Sequence, residues 1–339
     1  MKERVNWIDW AKALAVVTVV FCHMPQLQEW FYYRYLQSVI ITVFFFLSGY
    51  LKRDRGSTRA NWAKYWQGLI VPYMVYNVIV YPYWLLRFCL QNGGLPDLGQ
   101  AMRPVIGALL FEYEGTFAEL LNGPLWYLPS ILFMHVLVDL CRKSRHQHAW
   151  LIAASVASVA LYAANKYWLF LPGLMPMGTF RRLPYYYIGY VMGQQCLFRS
   201  VSPKRNAALC LGLTGLSILF FHWHLQAFYA DQFLLHIALF YPVNILFLFG
   251  VLYGCKSLNG WRVPAITNLS VGTLVVIGLH FPVIGAVNYA LEHFGGAESP
   301  ICYQWYEALI VAVCITALLY PIILLAKKRV PELIGRKRS

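Results

Sequence analysis

The chain has 339 residues, of which 59% are hydrophobic and only 12% charged, with a mean hydropathy of +0.52. A soluble domain carries roughly twice that charged share, so the composition excludes an ordinary soluble enzyme or binding module. The net charge of +14 does not point to a nucleic-acid partner, because the basic residues stand mostly in short loops and at the ends of apolar runs, where they act as a topology signal.

Apolar runs near the ~20 residues needed to cross a bilayer recur between charged or Gly/Pro-bearing breaks. They predict ten spans, near 10–28, 36–51, 67–90, 124–141, 149–166, 183–198, 206–223, 233–254, 270–291 and 303–326. The expectation is an all-α, polytopic membrane helical bundle forming one domain over residues 1–339, multi-pass in the plasma or inner membrane, with the lipid bilayer as its solvent. An even number of spans puts both termini on one side. With the N-terminus cytoplasmic, 21 of the 28 Lys and Arg fall inside, six (Arg34, Arg87, Arg103, Lys166, Arg181, Arg182) fall outside, and Lys12 lies within the first helix. That bias predicts cytoplasmic termini.

The first span, "NWIDWAKALAVVTVVFCHMPQ", holds three ionisable groups: Asp9, Lys12 and His23. It lacks a small-residue cleavage site after its apolar stretch, and is expected to be a retained helix. Lys12 and His23 are eleven residues apart, so they lie about 20° from alignment on one helical face and about 16 Å apart along it. A charge at membrane depth costs roughly 2.5–3.5 kcal/mol on insertion scales, so such groups face protein or water. Asp9 and Lys12 also suit an i,i+3 pair trimming the helix at the interface, and an isolated His also suits a satisfied core position.

Further along, the stretch from Gln91 to Gly123 is long for a connection and predicted to be extracytoplasmic. A short interfacial helix over Pro104 to Tyr113 is expected within it, in a loop placed to act as a lid or acceptor platform. His135 and Asp139 are i,i+4 and read as a structural pair. Gly189 and Gly193 form a G-x-x-x-G that lets two helices approach closely. His222 and His224, as "HWH", have no evident third ligand and suit the membrane interface better than a metal. The eight scattered cysteines form no C-x-x-C pair, so neither a disulfide framework nor a zinc site is expected.

Six short stretches, in order, resemble one family. They are Asp9, Lys12 and His23 on the first helix; "FFFLSGYL" with Phe45, Phe46, Ser48, Gly49 and Tyr50; "LIVPY" at Leu69 to Tyr73; "GPLWYL" at Gly123 to Leu128; "RRLPYYYIGYVMG" at Arg181 to Gly193; and "GLHFPV" at Gly278 to Val283. This pattern is similar to the acyltransferase 3 group of integral membrane acyltransferases, especially its branch related to fucose 4-O-acetylases. One departure stands out. Relatives carry an Arg-x-x-Arg-like motif before the Pro of the third helix, whereas Trp66 and Leu69 precede Pro72 here, and Lys64 with Arg53, Arg55 and Arg59 is left to supply that charge.

The resemblance implies transfer of an acyl group, usually acetyl, from cytoplasmic acyl-coenzyme A to a hydroxyl of a carbohydrate or glycolipid acceptor. On that reading His23 is the general base, and Ser48 lines the passage or donates to the developing oxyanion, although a Ser-Gly pair also serves close packing. Lys12, Arg53, Arg55 and Lys64 are the expected cations for the phosphates of acetyl-coenzyme A. Arg181, Arg182, Trp126 and His280 are the expected acceptor-binding set, with interfacial anchoring, or pairing of the arginines with Glu112, Glu114 or Glu119, as the other role. Direct attack and a transient acyl-histidine both remain open. No G-x-S-x-G elbow occurs, which argues against an ordinary serine hydrolase. The rival reading is a transporter or flippase of a glycolipid or small anion, which would call for internal inverted repeats; none is visible.

Overall fold

The computed structural model describes residues 5–53, 57–111, 121–167, 178–195, 202–296 and 299–336, and every regular element among them is helical. In chain order these are α1 (Asn6–His23), α2 (Phe31–Tyr50), α3 (Thr58–Tyr65), α4 (Val71–Asn92), α5 (Leu98–Leu109), α6 (Tyr127–Cys141), α7 (Gln147–Tyr167), α8 (Gly178–Gln195), α9 (Pro203–Tyr229), α10 (Phe233–Ser257), α11 (Pro264–Val271), α12 (Thr273–Phe294) and α13 (Trp305–Arg329). Eight described helical stretches are long and apolar enough to cross a membrane, beginning with Phe31–Tyr50 and ending with Trp305–Arg329. The other two of the ten expected spans, 10–28 and 183–198, overlap α1 and α8, helices of 18 residues each that start four or five residues earlier than expected and whose charged and tyrosine-rich sequences lower their hydropathy.

Most helix ends differ from the expected spans by several residues, and two of the differences have clear local reasons. The span expected at 67–90 belongs to a continuous helical stretch, Thr58–Asn92. Ser57 starts it by accepting the Ala60 N–H on its hydroxyl. A π-helical turn at Trp66–Ile70 interrupts it just before Pro72. Pro72 has no N–H to offer the carbonyl one turn back, and the ladder widens there instead of breaking. The interfacial helix expected over Pro104 to Tyr113 starts earlier and ends earlier, as α5. Asp97 builds a capping box, its carboxylate accepting the Gln100 N–H at 2.8 Å while the Gln100 side chain accepts the Asp97 N–H at 2.9 Å.

The chain divides into two compact units, each assembled from separated segments. The first comprises Met1–Lys52, Tyr185–Thr273 and Cys302–Cys314. Here α1 packs against α2, α10 and α11, and α9 and α10 form the most extensive helix pair. The second half of α8 lies against α2 through glycines on both sides. A Cβ added at Gly49 would strike the Tyr186 carbonyl, and one at Gly189 or Gly193 would strike the carbonyl of Phe46 or Tyr50. The expected close-packing role of this G-x-x-x-G is what the structure contains. Buried polar side chains are tied in pairs: Thr42 donates to Asn244 at 2.6 Å, and Tyr35 donates to Ser217, whose hydroxyl in turn donates to the Val243 carbonyl.

The second unit comprises Arg53–Pro184, Leu274–Ile301 and Ile315–Ser339. Tyrosines fasten its helices. Tyr73 and Tyr81 on α4 donate to the carbonyls of Ala108 and Ala101, and so hold α5. Tyr76 donates to the Leu333 carbonyl at 2.8 Å, and its ring fills the space a Cβ on Gly278 would occupy. Tyr65 joins the pair expected from the sequence, donating to Asp139 at 2.5 Å with its ring centred 5.1 Å from that of His135.

Candidate active site

In the first unit, the polar first helix is secured at its start. The Asn6 side-chain amide donates to the carbonyls of Asn259 and Trp261, both at 2.8 Å, and the Trp7 N–H donates to the Asn259 side chain at 3.0 Å. Asp9 is buried and accepts the Ser270 hydroxyl at 2.6 Å. With four bonds fixing its N-terminal turn to the α10–α11 connection and α11, α1 has a defined rotation about its axis, and the face bearing Lys12 and His23 is set with it.

His23 is the last residue of α1 and is an exposed residue, while Lys12 is half-buried. The His23 Nδ1 lies 2.8 Å from the Val19 carbonyl. A carbonyl oxygen only accepts, so Nδ1 carries the hydrogen and the lone pair of the neutral ring is on Nε2. The ring is therefore oriented by its own helix with its basic nitrogen defined, as general-base chemistry requires. Ser48 is half-buried beside Gly49, and the contact of Gly49 with α8 supports the packing alternative for that Ser-Gly pair.

Two cations that the expected donor-binding set left out lie in the same unit. Lys52 follows α2, Lys256 closes α10, and both are buried, at 3% and 5% exposure. The Lys256 ammonium stands 5.8 Å from the centre of the Trp7 ring, and Trp7 meets Tyr50 edge-on at 5.5 Å. The start of α1 and the ends of α2 and α10 thus gather positive charge at one end of the unit. The other expected donor residues belong to the second unit, where Arg53 is exposed and Lys64 half-buried; Arg55 lies outside the described residues.

The second unit brings the expected acceptor-binding residues into one neighbourhood. Trp126 closes a 3-10 turn, Gly123–Trp126, that leads into α6. Ser130, one turn on, donates to the Trp126 carbonyl at 2.9 Å and lies 2.7 Å from the Thr179 hydroxyl. That contact fixes the turn to the start of α8, which carries Arg181 and Arg182. Arg181 donates to the Tyr162 hydroxyl at 3.2 Å and lies over that ring at 5.3 Å; Arg182 is buried and donates to the Gly178 carbonyl at 3.1 Å. Glu112, Glu114 and Glu119, considered as partners for these arginines, lie outside the described residues.

On the other side of the turn, Asn122 donates to the Gly278 carbonyl at 2.6 Å, which links it to α12 two residues before His280. His280 is fully buried, and its Nδ1 donates to the Val276 carbonyl at 2.7 Å, the same arrangement as His23 on a ring without exposure. The turn therefore joins the helices that bear Arg181, Arg182 and His280. Asn122 was missed in the sequence, where its signal is slight: an amide beside "GPLW" at the mouth of a span. Its Oδ1 is buried and has no hydrogen-bond partner among the described residues.

A second histidine arrangement was also missed. His224 on α9 and His236 on α10 stack with centroids 3.9 Å apart, and each Nδ1 reaches the other's carbonyl, at 2.9 and 3.2 Å. The two residues are equidistant from Ala230 at the turn of an antiparallel hairpin, a symmetry present in the sequence. Among the described residues no cluster of three or more His, Cys, Asp or Glu is arranged to hold a metal.

An all-helical chain rich in membrane-length helices, with a polar first helix that ends in an oriented histidine, defines a multi-pass membrane protein. Residues 5–327 match the family model described as an acyltransferase domain, and the chain belongs to this acyltransferase 3 family of membrane acyltransferases. No curated protein and no solved structure matches the chain.

Proposed function

We propose that this membrane acyltransferase moves an acetyl or other short acyl group from acyl-coenzyme A to a hydroxyl of a carbohydrate or glycolipid acceptor. The observation that carries the reading is His23, an exposed residue at the end of α1, with Nδ1–H held by Val19 and the lone pair of the neutral ring therefore on Nε2. Nε2 takes the proton of the acceptor hydroxyl as its oxygen attacks the thioester carbonyl carbon. The C–O bond forms, the C–S bond breaks, and the coenzyme A thiolate leaves with the proton returned by the imidazolium.

The donor's phosphates bind on the cytoplasmic side by charge-assisted hydrogen bonds, and the candidate cations are Lys12 of the first unit and, as the family resemblance implies, Arg53, Arg55 and Lys64. Buried Lys52 and Lys256 support placing an anion at that end of the first unit. The acceptor binds at the neighbourhood of Trp126, Arg181, Arg182 and His280, where an aromatic face and fixed guanidinium groups suit a sugar and its anionic substituents. On this reading the protein resides in the plasma or inner membrane with both termini cytoplasmic, which the bias of Lys and Arg toward alternate loops supports.

The test is release of free coenzyme A thiol by the purified protein given acetyl-coenzyme A and a panel of saccharide or glycolipid acceptors, with mass spectrometry of the products. Acceptor-dependent thiol release and an acetylated sugar are the expected results. Movement of a labelled glycolipid across a vesicle membrane without thiol release would assign transport instead.

A further inference from the structure

An apolar cleft runs along the outer surface of α6 and α7 in the second unit. It has a volume of about 500 Å³ and is lined by Leu137, Leu140, Ser144, Trp150, Ala153 and Ala157 among others. Leu140 and Trp150 are each 59% exposed, so the cleft opens outward from a face of large apolar side chains that continues through Ile152 and Val156. Small alanines on α7 form one wall, and let a flexible hydrocarbon lie close to the helix backbone.

The turn joining α6 to α7 closes one end of this cleft and is strongly cationic. It carries Arg142, Lys143 and Arg145, with Lys143 and Arg145 exposed, and His146 and His148 are exposed beside them. The local charge is unopposed along the chain, since no Asp or Glu occurs between Asp139 and Asp231, and Asp139 itself accepts the Tyr65 hydroxyl. A long apolar cleft capped by exposed cations is complementary to an amphiphile with a hydrocarbon tail and a negative head. In a membrane protein whose basic loops mark the cytoplasmic side, that amphiphile is a component of the anionic leaflet.

We infer that the α6–α7 cleft is a binding site for one anionic phospholipid, with an acyl chain against Leu137, Ala153 and Ala157 and the phosphate on Lys143 and Arg145. Trp150, at the cationic end, sits at headgroup depth, where its amphipathic ring is favoured. The site is independent of the acyl-transfer reading.

Native mass spectrometry of the full chain, stripped of lipid in detergent and titrated with phosphatidylglycerol or with phosphatidylcholine of the same acyl chains, tests this. One phosphatidylglycerol is expected to be retained at concentrations that leave phosphatidylcholine unbound. The double variant Lys143→Ala, Arg145→Ala should weaken that retention on the order of tenfold. Ala157→Phe, at an exposed position on the cleft wall, should remove the site by filling it, with thermal unfolding unchanged in both variants. Equal retention of the two lipids overturns the inference, as does a phosphatidylglycerol preference that persists in the cleft-filled variant. A dimer that disappears with Ala157→Phe would give the cleft to a second copy of this chain, and would overturn it too.

Discussion

The nine histidines of this chain differ in what their ring nitrogens are given to do. His23, His280 and His293 share one local device, an Nδ1–H donated one turn back; His280 is fully buried and the exposed His293 stacks on Tyr289 at 3.9 Å, whereas His23 is exposed on the helix that also carries Lys12. His23→Ala is therefore expected to lower acyl transfer by about 10²–10⁴-fold while membrane levels and coenzyme A binding persist. A well-folded variant retaining more than about a tenth of the rate would move the base elsewhere, with His280 the first alternative. Lys12→Ala should raise the KM for acyl-coenzyme A more than that for the acceptor, and steady-state kinetics with each substrate varied in turn would expose an unchanged donor dependence. Asn122→Ala removes a buried donor from the Gly278 carbonyl. Leaving such an acceptor unsatisfied costs about 1–3 kcal/mol, so the variant should unfold at a lower temperature in detergent, and an unaltered Tm would remove Asn122 as the fastener of that turn. His23 and Lys12 stood out in the sequence as candidates, because an ionisable group in an apolar helix is conspicuous whatever surrounds it. Asn122, Lys52 and Lys256 stayed hidden, since their burial and partners are set by segments far away in the chain.

At the scale of the helix, periodicity and composition located nearly every membrane-length element, because a long apolar run can become little else in a bilayer. What they missed were ends and interruptions. The start of α5 depended on a capping box around Asp97, and the long Thr58–Asn92 stretch depended on a π-helical turn ahead of Pro72. Both rest on individual hydrogen bonds that leave no trace in hydropathy. The glycine spacing on α8 was legible, and its consequence is severe: Gly189→Val would push a side chain into the Phe46 carbonyl, where backbone and not a flexible side chain stands in the way. Overpacking of this kind typically costs 1–3 kcal/mol or more. The variant should accumulate poorly in membranes or unfold earlier by fluorescence-detected thermal denaturation, whereas Gly212→Val on α9, with open space at its Cβ, should not.

For the whole molecule, the charge bias predicts an orientation that fusions can measure directly. A reporter fused after Ser144 should read as cytoplasmic and one after Asn92 as extracytoplasmic. The reverse pair of signals would also move the donor phosphates to the other side of the membrane, and the proposed reaction with them. The family match runs through both compact units, from residue 5 to 327, so neither unit by itself corresponds to the acyltransferase domain. Nothing in the sequence pattern announced that division, because each unit draws on segments that are distant along the chain and similar in composition.

The bonds that hold the start of α1 also impose an order on biosynthesis. Asn6 and Asp9 leave the ribosome well before their partners, Asn259, Trp261 and Ser270, which are made some 250 positions later. Until α11 emerges, the nascent first helix must wait in the bilayer or its insertion machinery with an amide and a carboxylate still lacking these contacts. A chain that stops after α10 would leave them so permanently, and would present the cell's membrane quality control with a polar first helix to clear.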